Sequence, residues 1–482
     1  MATELLILAA LPWLLILLHQ IMNRGAIVLL VWLAAAPLVL DLIRQTDGAV
    51  IFQSSGFQTD THSSDFYYDN PAQITLQELL NPTRLLFGAL FIAFLVNGRF
   101  KKRQAVALDK AERWMAIFSL LLLGNVYLRS GRMAFGLHVA SDAFIIPFMS
   151  YYVGRRLMTN PNRWRQLTQV ISYVGFYVII YCIQERLTHS DLLYRLRGPF
   201  ESGNSLYVVL TVAFFVALIG ASQNLSLARQ NTNLPFLVRR FVVYLTPVII
   251  ALTLVRGNWV GFIFGLGVFL KLGRRLVSFT RTVKIVGLTV FFVLFAALSF
   301  SLLVPEEIIE ERITEQDNAI GRFATWLATI EMASEAPLFG VGLNNLQGLL
   351  SRERVTIGGF ANYSTPHNSL LSILVELGSI ALIAYSAAVL TILRMGLRLY
   401  RTGVNKEDRW RGVALIAIMV AYLTPSLFAN TIYITGLIHI YVYTLAGALA
   451  GVYSGQLRST PSQSYYQTIR GDSIALQRPA AG

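Results

Sequence analysis

The sequence predicts an all-α membrane protein, a polytopic helical bundle of about 12 to 14 spans with a long outer loop that carries amphipathic helices. Its 482 residues are 55% hydrophobic and only 14% charged, with a mean hydropathy of +0.56. Soluble domains carry about 25% charged residues. Apolar runs also recur near the roughly 20 residues that a helix needs to cross a bilayer. Short basic clusters separate these runs, which is typical of a multi-pass membrane protein.

The apolar runs set the order of the predicted elements. They fall near 4–21, 25–43, 84–98, 113–129, 136–153, 167–186, 204–222, 241–256, 258–272, 283–304, 369–393, 413–432 and 435–454. The first run has no basic residues ahead of it and no small-residue cleavage site, so we interpret it as a retained span and not as a signal peptide. The predicted units are a bundle at 1–304, an outer loop at 305–368, C-terminal spans at 369–455 and a disordered cytoplasmic tail at 456–482.

The net charge of +14 is distributed in a way that argues against nucleic-acid binding. The basic residues cluster between spans, at Lys101-Lys102-Arg103, Arg155-Arg156, Arg239-Arg240, Arg274-Arg275 and 394–411. The positive-inside rule places these connections in the cytoplasm. The opposite side then receives the connections 44–83, 187–203 and 305–368. Within the last, apolar residues recur at helical spacing near 306–313 and 323–330, which predicts two amphipathic helices lying over the bundle.

Neither a disulfide nor a metal site is predicted. The single cysteine, Cys182, lies in an apolar run and has no partner within the chain. The histidines show no ligand spacing, so we expect no metal and no cofactor.

His367 is the most informative titratable residue because it stands where a predicted membrane helix meets water. Thr365 is predicted as the N-cap and Pro366 as the first helical residue, which places His367 in the first turn. There the positive end of the helix dipole would keep the imidazole neutral, as a proton acceptor must be. The unpaired N–H groups of the same turn attract anions such as phosphate.

Three outer-side arginines, Arg197, Arg256 and Arg322, are candidate ligands for an anion. Each also has an ordinary interpretation. Arg197 could be a solvated loop residue, Arg256 a cation at the C-terminus of a span, and Arg322 a charge on the solvent-facing side of an amphipathic helix. The acidic run at 306–311 is interpreted as a solvated helix start and less readily as a glycosidase pair. Glu376 lies within a span, where a carboxylate is either functional or forms a hydrogen bond that stabilises the bundle.

Four stretches together resemble the O-antigen ligase and O-antigen polymerase-like family of bacterial envelope glycosyltransferases. They are Arg197-Gly198-Pro199-Phe200-Glu201-Ser202-Gly203-Asn204, Thr253-Leu254-Val255-Arg256-Gly257-Asn258, Arg322-Phe323-Ala324-Thr325-Trp326 with Pro337-Leu338-Phe339-Gly340-Val341-Gly342, and Pro366-His367-Asn368 with Glu376-Leu377-Gly378. The resemblance covers roughly residues 170–395. It implies a multi-pass enzyme of the inner (cytoplasmic) membrane whose active site faces the periplasm.

The resemblance also implies a reaction and its participants. The donor would be an oligosaccharide on undecaprenyl diphosphate, and an acceptor sugar hydroxyl would displace the lipid diphosphate without a metal ion. His367 would take the hydroxyl proton or orient the acceptor, and Arg256 would act with it on the leaving diphosphate. The substrate-binding residues would be Arg197, Arg322, Asn368 and Asn204. The expected partners are the lipid-linked donor, an acceptor glycan or lipid A core, and membrane lipid.

Several functions stay open at this point. A ligase uses the lipid A core as acceptor, a polymerase uses another lipid-linked repeat, and protein O-glycosylation is a third choice. A transporter of anions or lipid-linked sugar is the alternative from another class, although no broken spans recur in matching halves of the sequence. A structural membrane scaffold would not require Arg256 and His367 at the ends of helices.

Overall fold

The computed structural model describes residues 24–38, 82–100, 108–130, 133–158, 161–189, 194–200, 202–223, 234–274, 276, 287, 316–352, 356–357, 360–361, 365–403, 405–434 and 436–459. Several predicted features lie outside the described residues: the span at 4–21, nearly all of the span at 283–304, most of the loop 44–83, the acidic run 306–311 with its amphipathic helix, and the tail beyond 459.

The described residues are overwhelmingly helical. The helices are α1 Arg24–Leu38, α2 Pro82–Phe100, α3 Lys110–Arg129, α4 Met133–Ala140, α5 Ile146–Leu157, α6 Pro161–Thr188, α7 Gly203–Gln223, α8 Leu234–Leu252, α9 Arg256–Gly273, α10 Gln316–Glu335, α11 Leu346–Arg352, α12 Ser369–Thr402, α13 Lys406–Leu423, α14 Thr431–Ile434 and α15 Ile440–Ser459. A π-helical turn, Ser141–Ile145, joins α4 to α5. Two-residue strands, Thr356–Ile357 and Phe360–Ala361, pair antiparallel in the loop before α12.

Four of these helices, α6, α8, α12 and α13, are long and apolar enough to cross a membrane, and α1, α2, α7 and α15 are shorter apolar helices. The protein is therefore an all-α, multi-pass membrane protein, and the predicted fold class is confirmed. The predicted span at 413–432 is wrong in its bounds, since α13 ends at Leu423 and a turn over 424–430 follows. Pro425 lacks the N–H that a continuing helix would need.

Close contacts at small residues hold helices of the bundle together. This is expected in a membrane, because lipid is as apolar as the helix surfaces and the hydrophobic effect does not drive helices together. Helices α5 and α15 meet backbone to backbone. A Cβ atom built on Gly447 would lie 2.0 Å from the Tyr151 carbonyl oxygen, and one on Gly451 would lie 2.3 Å from that of Arg155. The two glycines are four residues apart, so both face α5.

Ion pairs mark one end of the bundle, which we call the basic end. Asp109 caps α3 by accepting from the Glu112 amide, and the Glu112 carboxylate pairs with Arg155 and Arg156 at the end of α5. Arg411 near the start of α13 pairs with Asp408 at 2.9 Å. The opposite end receives the last turn of α3 and the first turns of α9 and α12. We call it the motif end, because the four family-like stretches are found there.

Helix α10 lies at the motif end and is the second of the two predicted amphipathic helices. It contacts α12 through small buried residues such as Ala324 and Ala328, while Phe323, Leu327 and Ile330 are exposed. Because Trp326 bonds to Pro366 and the charge of Arg322 acts on His367, α10 brings part of the long loop to the start of α12.

Candidate functional site

Unusual backbone conformations are concentrated in the four family-like stretches. Among the described residues, positive φ angles occur at Gly198, Leu254, Gly340, Gly342, Asn344, His367 and Gly378. Six of these lie within the stretches and Asn344 lies two residues after one of them. Non-glycine residues adopt such angles at a cost, and they persist where the surrounding structure enforces them, often at functional sites. This clustering marks the motif end as the candidate site.

The predicted start of α12 is wrong. Asn368, and not Thr365, is the N-cap: its side-chain oxygen accepts from the amides of Leu370 and Leu371 at 3.0 and 3.1 Å. His367 therefore precedes the helix, with φ +46°, and does not occupy its first turn. An asparagine at this position can satisfy two of the otherwise unpaired N–H groups. The helix dipole is consequently not the reason for the state of His367.

Partial burial is the main cause of the lowered pKa of His367. Removal from water, with a smaller contribution from the positive charge of Arg322, lowers the pKa of His367 to about 4. The Thr365 hydroxyl lies 3.4 Å from Nε2 of the ring. The lowered pKa favours the neutral imidazole that the sequence predicted, although its physical cause differs from the one inferred from sequence.

Helix α10 forms a hydrogen bond to the segment that carries His367. The Trp326 indole N–H donates to the Pro366 carbonyl oxygen at 2.7 Å. Arg322 is one turn earlier on the same face, which places its charge close enough to act on His367. The Nε–H of Arg322 is buried and has no hydrogen-bond partner among the described residues. The third and fourth stretches therefore meet here. The Nε–H of Arg322 can donate a hydrogen bond to a ligand at this point.

The loop that carries Arg197 is held by a residue that was not singled out from the sequence, Glu185. Its carboxylate accepts from the Gly198 amide at 2.8 Å, the Arg197 amide at 3.4 Å and the Tyr194 hydroxyl at 2.9 Å. Glu185 is buried near the end of α6, and Arg197 itself is exposed. A carboxylate in an apolar span twelve residues before an Arg-Gly pair was the available signal.

Arg256 begins α9 and does not end the preceding span as predicted. Helix α8 ends at Leu252, and the chain turns back through Leu254, with φ +55°, so that Arg256 is the first residue of α9 and is exposed. The chain turns back tightly here, because only three residues separate the two helices.

The Arg197 and Arg256 loops lie side by side. The Leu196 amide donates to the Leu252 carbonyl oxygen at 3.4 Å, and the Asn258 side-chain amide donates to the Gly203 carbonyl oxygen at 3.3 Å. The turn over 424–430 then connects this pair of loops to the start of α12. A Cβ atom on Gly257 would lie 3.9 Å from Cβ of Phe428.

The other side of that turn contacts the segment after His367. The Ser369 hydroxyl donates to the Ala429 carbonyl oxygen at 3.1 Å, and the Ser372 hydroxyl donates to Oδ1 of Asn430 at 3.2 Å. All four stretches are thus linked at one end of the bundle, the second and fourth through the turn over 424–430. That the three arginines and His367 share one ligand stays a prediction.

The predicted binding asparagines differ in their surroundings. Asn368 uses its side-chain oxygen as the N-cap of α12. In contrast, Oδ1 of Asn204 and Oδ1 of Asn258 are buried without a hydrogen-bond partner within the described part of the chain. An unpaired buried amide oxygen costs free energy unless a donor reaches it. Asn204 and the neighbouring Asn258 can therefore accept from a hydroxyl.

Glu376 forms a structural contact rather than a pair with His367. It is buried, and its carboxylate accepts from the Asn344 amide at 3.0 Å. Among the described residues, no three His, Cys, Asp or Glu side chains are arranged to hold a metal ion.

Comparison with known proteins agrees with the resemblance seen in the stretches. Residues 241–386 match a family model described as O-Antigen ligase, and the matched range contains Arg256, Arg322 and His367 but not Arg197. No curated protein matches the chain. Over residues 241–386 the chain is therefore similar to O-antigen ligases, in agreement with the family resemblance seen in its sequence.

Proposed function

We propose that this protein transfers a glycan from a polyprenyl (undecaprenyl) diphosphate donor to an acceptor hydroxyl at the periplasmic face of a bacterial inner membrane. The observation that supports this most is that His367, whose pKa is lowered by partial burial, lies near Arg322, whose Nε–H has no hydrogen-bond partner among the described residues. Glycosyl transfer from a diphosphate requires a proton acceptor for the attacking hydroxyl and a hydrogen-bond donor to the leaving diphosphate, and these two groups are close together here.

In the proposed reaction the acceptor oxygen attacks the anomeric carbon of the donor sugar. The bond between that carbon and the phosphate oxygen breaks, and the lipid diphosphate leaves with the electron pair. The imidazole of His367 takes the hydroxyl proton. With a pKa of about 4 the empty site holds a weak base. A bound diphosphate would strengthen it, because a nearby negative charge raises the pKa of a histidine.

Arginines would stabilise the leaving group. A guanidinium is permanently charged and matches two phosphate oxygens at once. Arg322 supplies the donor next to His367, and the exposed Arg197 and Arg256 lie on adjoining loops of the motif end. Their separation along the chain means that a single ligand would hold three distant segments together.

A transporter has one observation in its favour, which is that the apolar helix α12 is interrupted at Gly378. Transporters use such discontinuous helices to bind substrates with free backbone groups. Here the interruption is occupied by the protein itself, since Val341 and Gly342 donate to the carbonyl oxygens of Val375 and Glu376. Enzyme activity therefore remains the better supported proposal.

The proposal is tested by His367→Ala and Arg256→Ala in cells scored for surface polysaccharide, with membrane levels of the protein checked. We expect both to abolish display. The matched control is Arg398→Ala, which removes an exposed arginine at the basic end of α12. Normal display from properly inserted His367→Ala protein would reject the assignment.

The same cells can separate the acceptors. A deletion strain that accumulates unattached polymer of normal length would identify a ligase, whereas one that displays single repeats would identify a polymerase. Loss of glycan from a protein, with the lipid-linked polysaccharide unchanged, would identify protein O-glycosylation.

A further inference from the structure

Helix α12 is two helices joined at a break. Gly378 has φ +84° and ψ 173°, outside the helical region, and separates Ser369–Leu377 from the longer remainder that ends at Thr402. Because the hydrogen-bond ladder is interrupted there, the long segment does not fix the direction of the short one. The short segment, which we call the half-helix, follows His367 directly.

The break is filled by the loop segment 337–342. The Val341 amide donates to the Val375 carbonyl oxygen at 2.8 Å, the Gly342 amide to the Glu376 carbonyl oxygen at 3.0 Å, and the Ser379 amide to the Pro337 carbonyl oxygen at 2.9 Å. Backbone polar groups freed from a membrane helix must be satisfied inside the protein. The third and fourth family-like stretches are therefore joined by backbone hydrogen bonds.

One side chain from a different helix bonds to both partners of this junction. Asn125, buried near the end of α3, donates from Nδ2 to the Phe339 carbonyl oxygen at 2.7 Å and to the Glu376 carbonyl oxygen at 3.1 Å. Its Oδ1 accepts from the Leu343 amide at 2.9 Å. A carboxamide is the neutral group that donates and accepts in this way.

We propose that Asn125 is a positioning residue, whose carboxamide fixes the half-helix Ser369–Leu377 against α3 and thereby fixes the location of His367. The effect of Asn125 on the rate of glycan transfer rests on the proposed function. Its effect on the position of His367 does not. Nine residues of helix span about 13 Å, so a tilt of about 5° at the break would displace the far end by about 1 Å.

The far end has its own contacts, which limit how the half-helix can respond. Ser369 bonds to Ala429 at 3.1 Å, and Trp326 bonds to Pro366 at 2.7 Å. These contacts keep the half-helix attached when the break is released, but they leave it able to tilt slightly about the break. We expect a misplaced His367 in a folded protein.

The test compares Asn125→Ala and Asn125→Asp with Gly124→Ala in the purified full-length protein. Asn125→Asp is nearly isosteric and keeps the acceptor for Leu343, but it loses both donors and places a carboxylate beside two carbonyl oxygens. Gly124→Ala is the matched control on α3, because a Cβ atom at Gly124 would meet no atom of the described residues within 4 Å.

Two readouts are needed. The first is the pKa of His367, followed by NMR of labelled imidazoles and assigned with His367→Gln. We expect it to rise from about 4 towards 6.5 in both Asn125 variants, as the ring loses its enclosure, and to stay unchanged in Gly124→Ala. The second is transfer of a lipid-linked glycan, where displacement by about 1 Å is expected to lower kcat about 100-fold.

An unchanged pKa of His367 in folded Asn125→Asp would overturn the positioning role, even if the variant unfolds at a lower temperature. Should Asn125→Ala fail to fold, the isosteric variant still decides the question. Failure of the proposed function has a different signature: His367→Ala would retain transfer, whatever the pKa readout shows.

Discussion

Replacing Gly378 by alanine would place a methyl group in the junction between α12 and the loop segment 337–342. The added Cβ atom would lie 2.2 Å from the Leu338 carbonyl oxygen and 2.4 Å from the carbonyl carbon. Both are backbone atoms and cannot rotate away. The φ of +84° and ψ of 173° also belong to a region that is essentially restricted to glycine.

The expected loss of stability follows from these contacts. The two segments must move apart, which breaks three backbone hydrogen bonds, those from Val341, Gly342 and Ser379. At about 1 kcal/mol for each bond and about 1–3 kcal/mol for alanine in this conformation, the free energy of unfolding would fall by about 4–6 kcal/mol. Gly340→Ala is expected to act similarly, because its Cβ atom would lie 2.3 Å from the Glu376 carbonyl oxygen.

The assay is thermal unfolding of the purified protein in detergent, with transfer activity measured on the same samples. Gly124→Ala and Gly267→Ala are matched controls in α3 and α9, since neither added Cβ atom would lie within 4 Å of another atom in the part of the chain that the structure describes. Both substitutions should be neutral or slightly stabilising, because alanine in a helix interior is more stable than glycine by about 0.5–1 kcal/mol. If Gly378→Ala unfolds at the temperature of these controls, the junction does not contribute to stability as argued.

The remaining predictions concern the candidate site. Because His367 must be neutral to accept a proton, activity should be lost as the pH falls; the fall in kcat/KM should come near pH 4, and the fall in kcat at higher pH, since bound diphosphate raises the pKa. Coincident pH profiles would contradict this. Arg322→Gln should raise the pKa of His367 only in part, because burial is the larger cause, and an unchanged titration in NMR would show that Arg322 has no effect. Glu185→Ala should weaken donor binding, measured as KM, more than Glu185→Gln, which keeps one acceptor for the amides of Arg197 and Gly198; equal effects would argue against that role. Arg256→Glu should reduce transfer more than Arg256→Ala if the diphosphate contacts this residue, and the reverse order would exclude that contact.

Local features of the sequence were sufficient for the fold class and for the approximate positions of most described helices. Apolar runs of spanning length and the basic clusters between them depend only on neighbouring residues, so they can be interpreted without a structure. The close succession of α8 and α9 was predicted in the same way, from the adjacent apolar runs 241–256 and 258–272. Even there the sequence misplaced Arg256 by assigning it to the wrong helix.

Where two nearby residues could each begin a helix, contacts with residues distant in the chain decide which one does. Thr365 and Asn368 are both capable N-caps, and the chain uses Asn368 while Ser369 bonds to Ala429 and Pro366 bonds to Trp326. The lowered pKa of His367 likewise results mainly from its partial burial, which cannot be inferred from a helix-start pattern.

The sequence by itself thus determined that this chain is a helical membrane protein and which stretches carry its family resemblance. Only the tertiary structure decided that α12 breaks at Gly378 and that Asn125 holds the break. The hydrogen bonds of Asn125 join residues 214 and 251 positions apart in the chain. Such bonds form because unsatisfied polar backbone is costly inside a membrane protein, and their partners are set by how the helices pack and not by any local pattern.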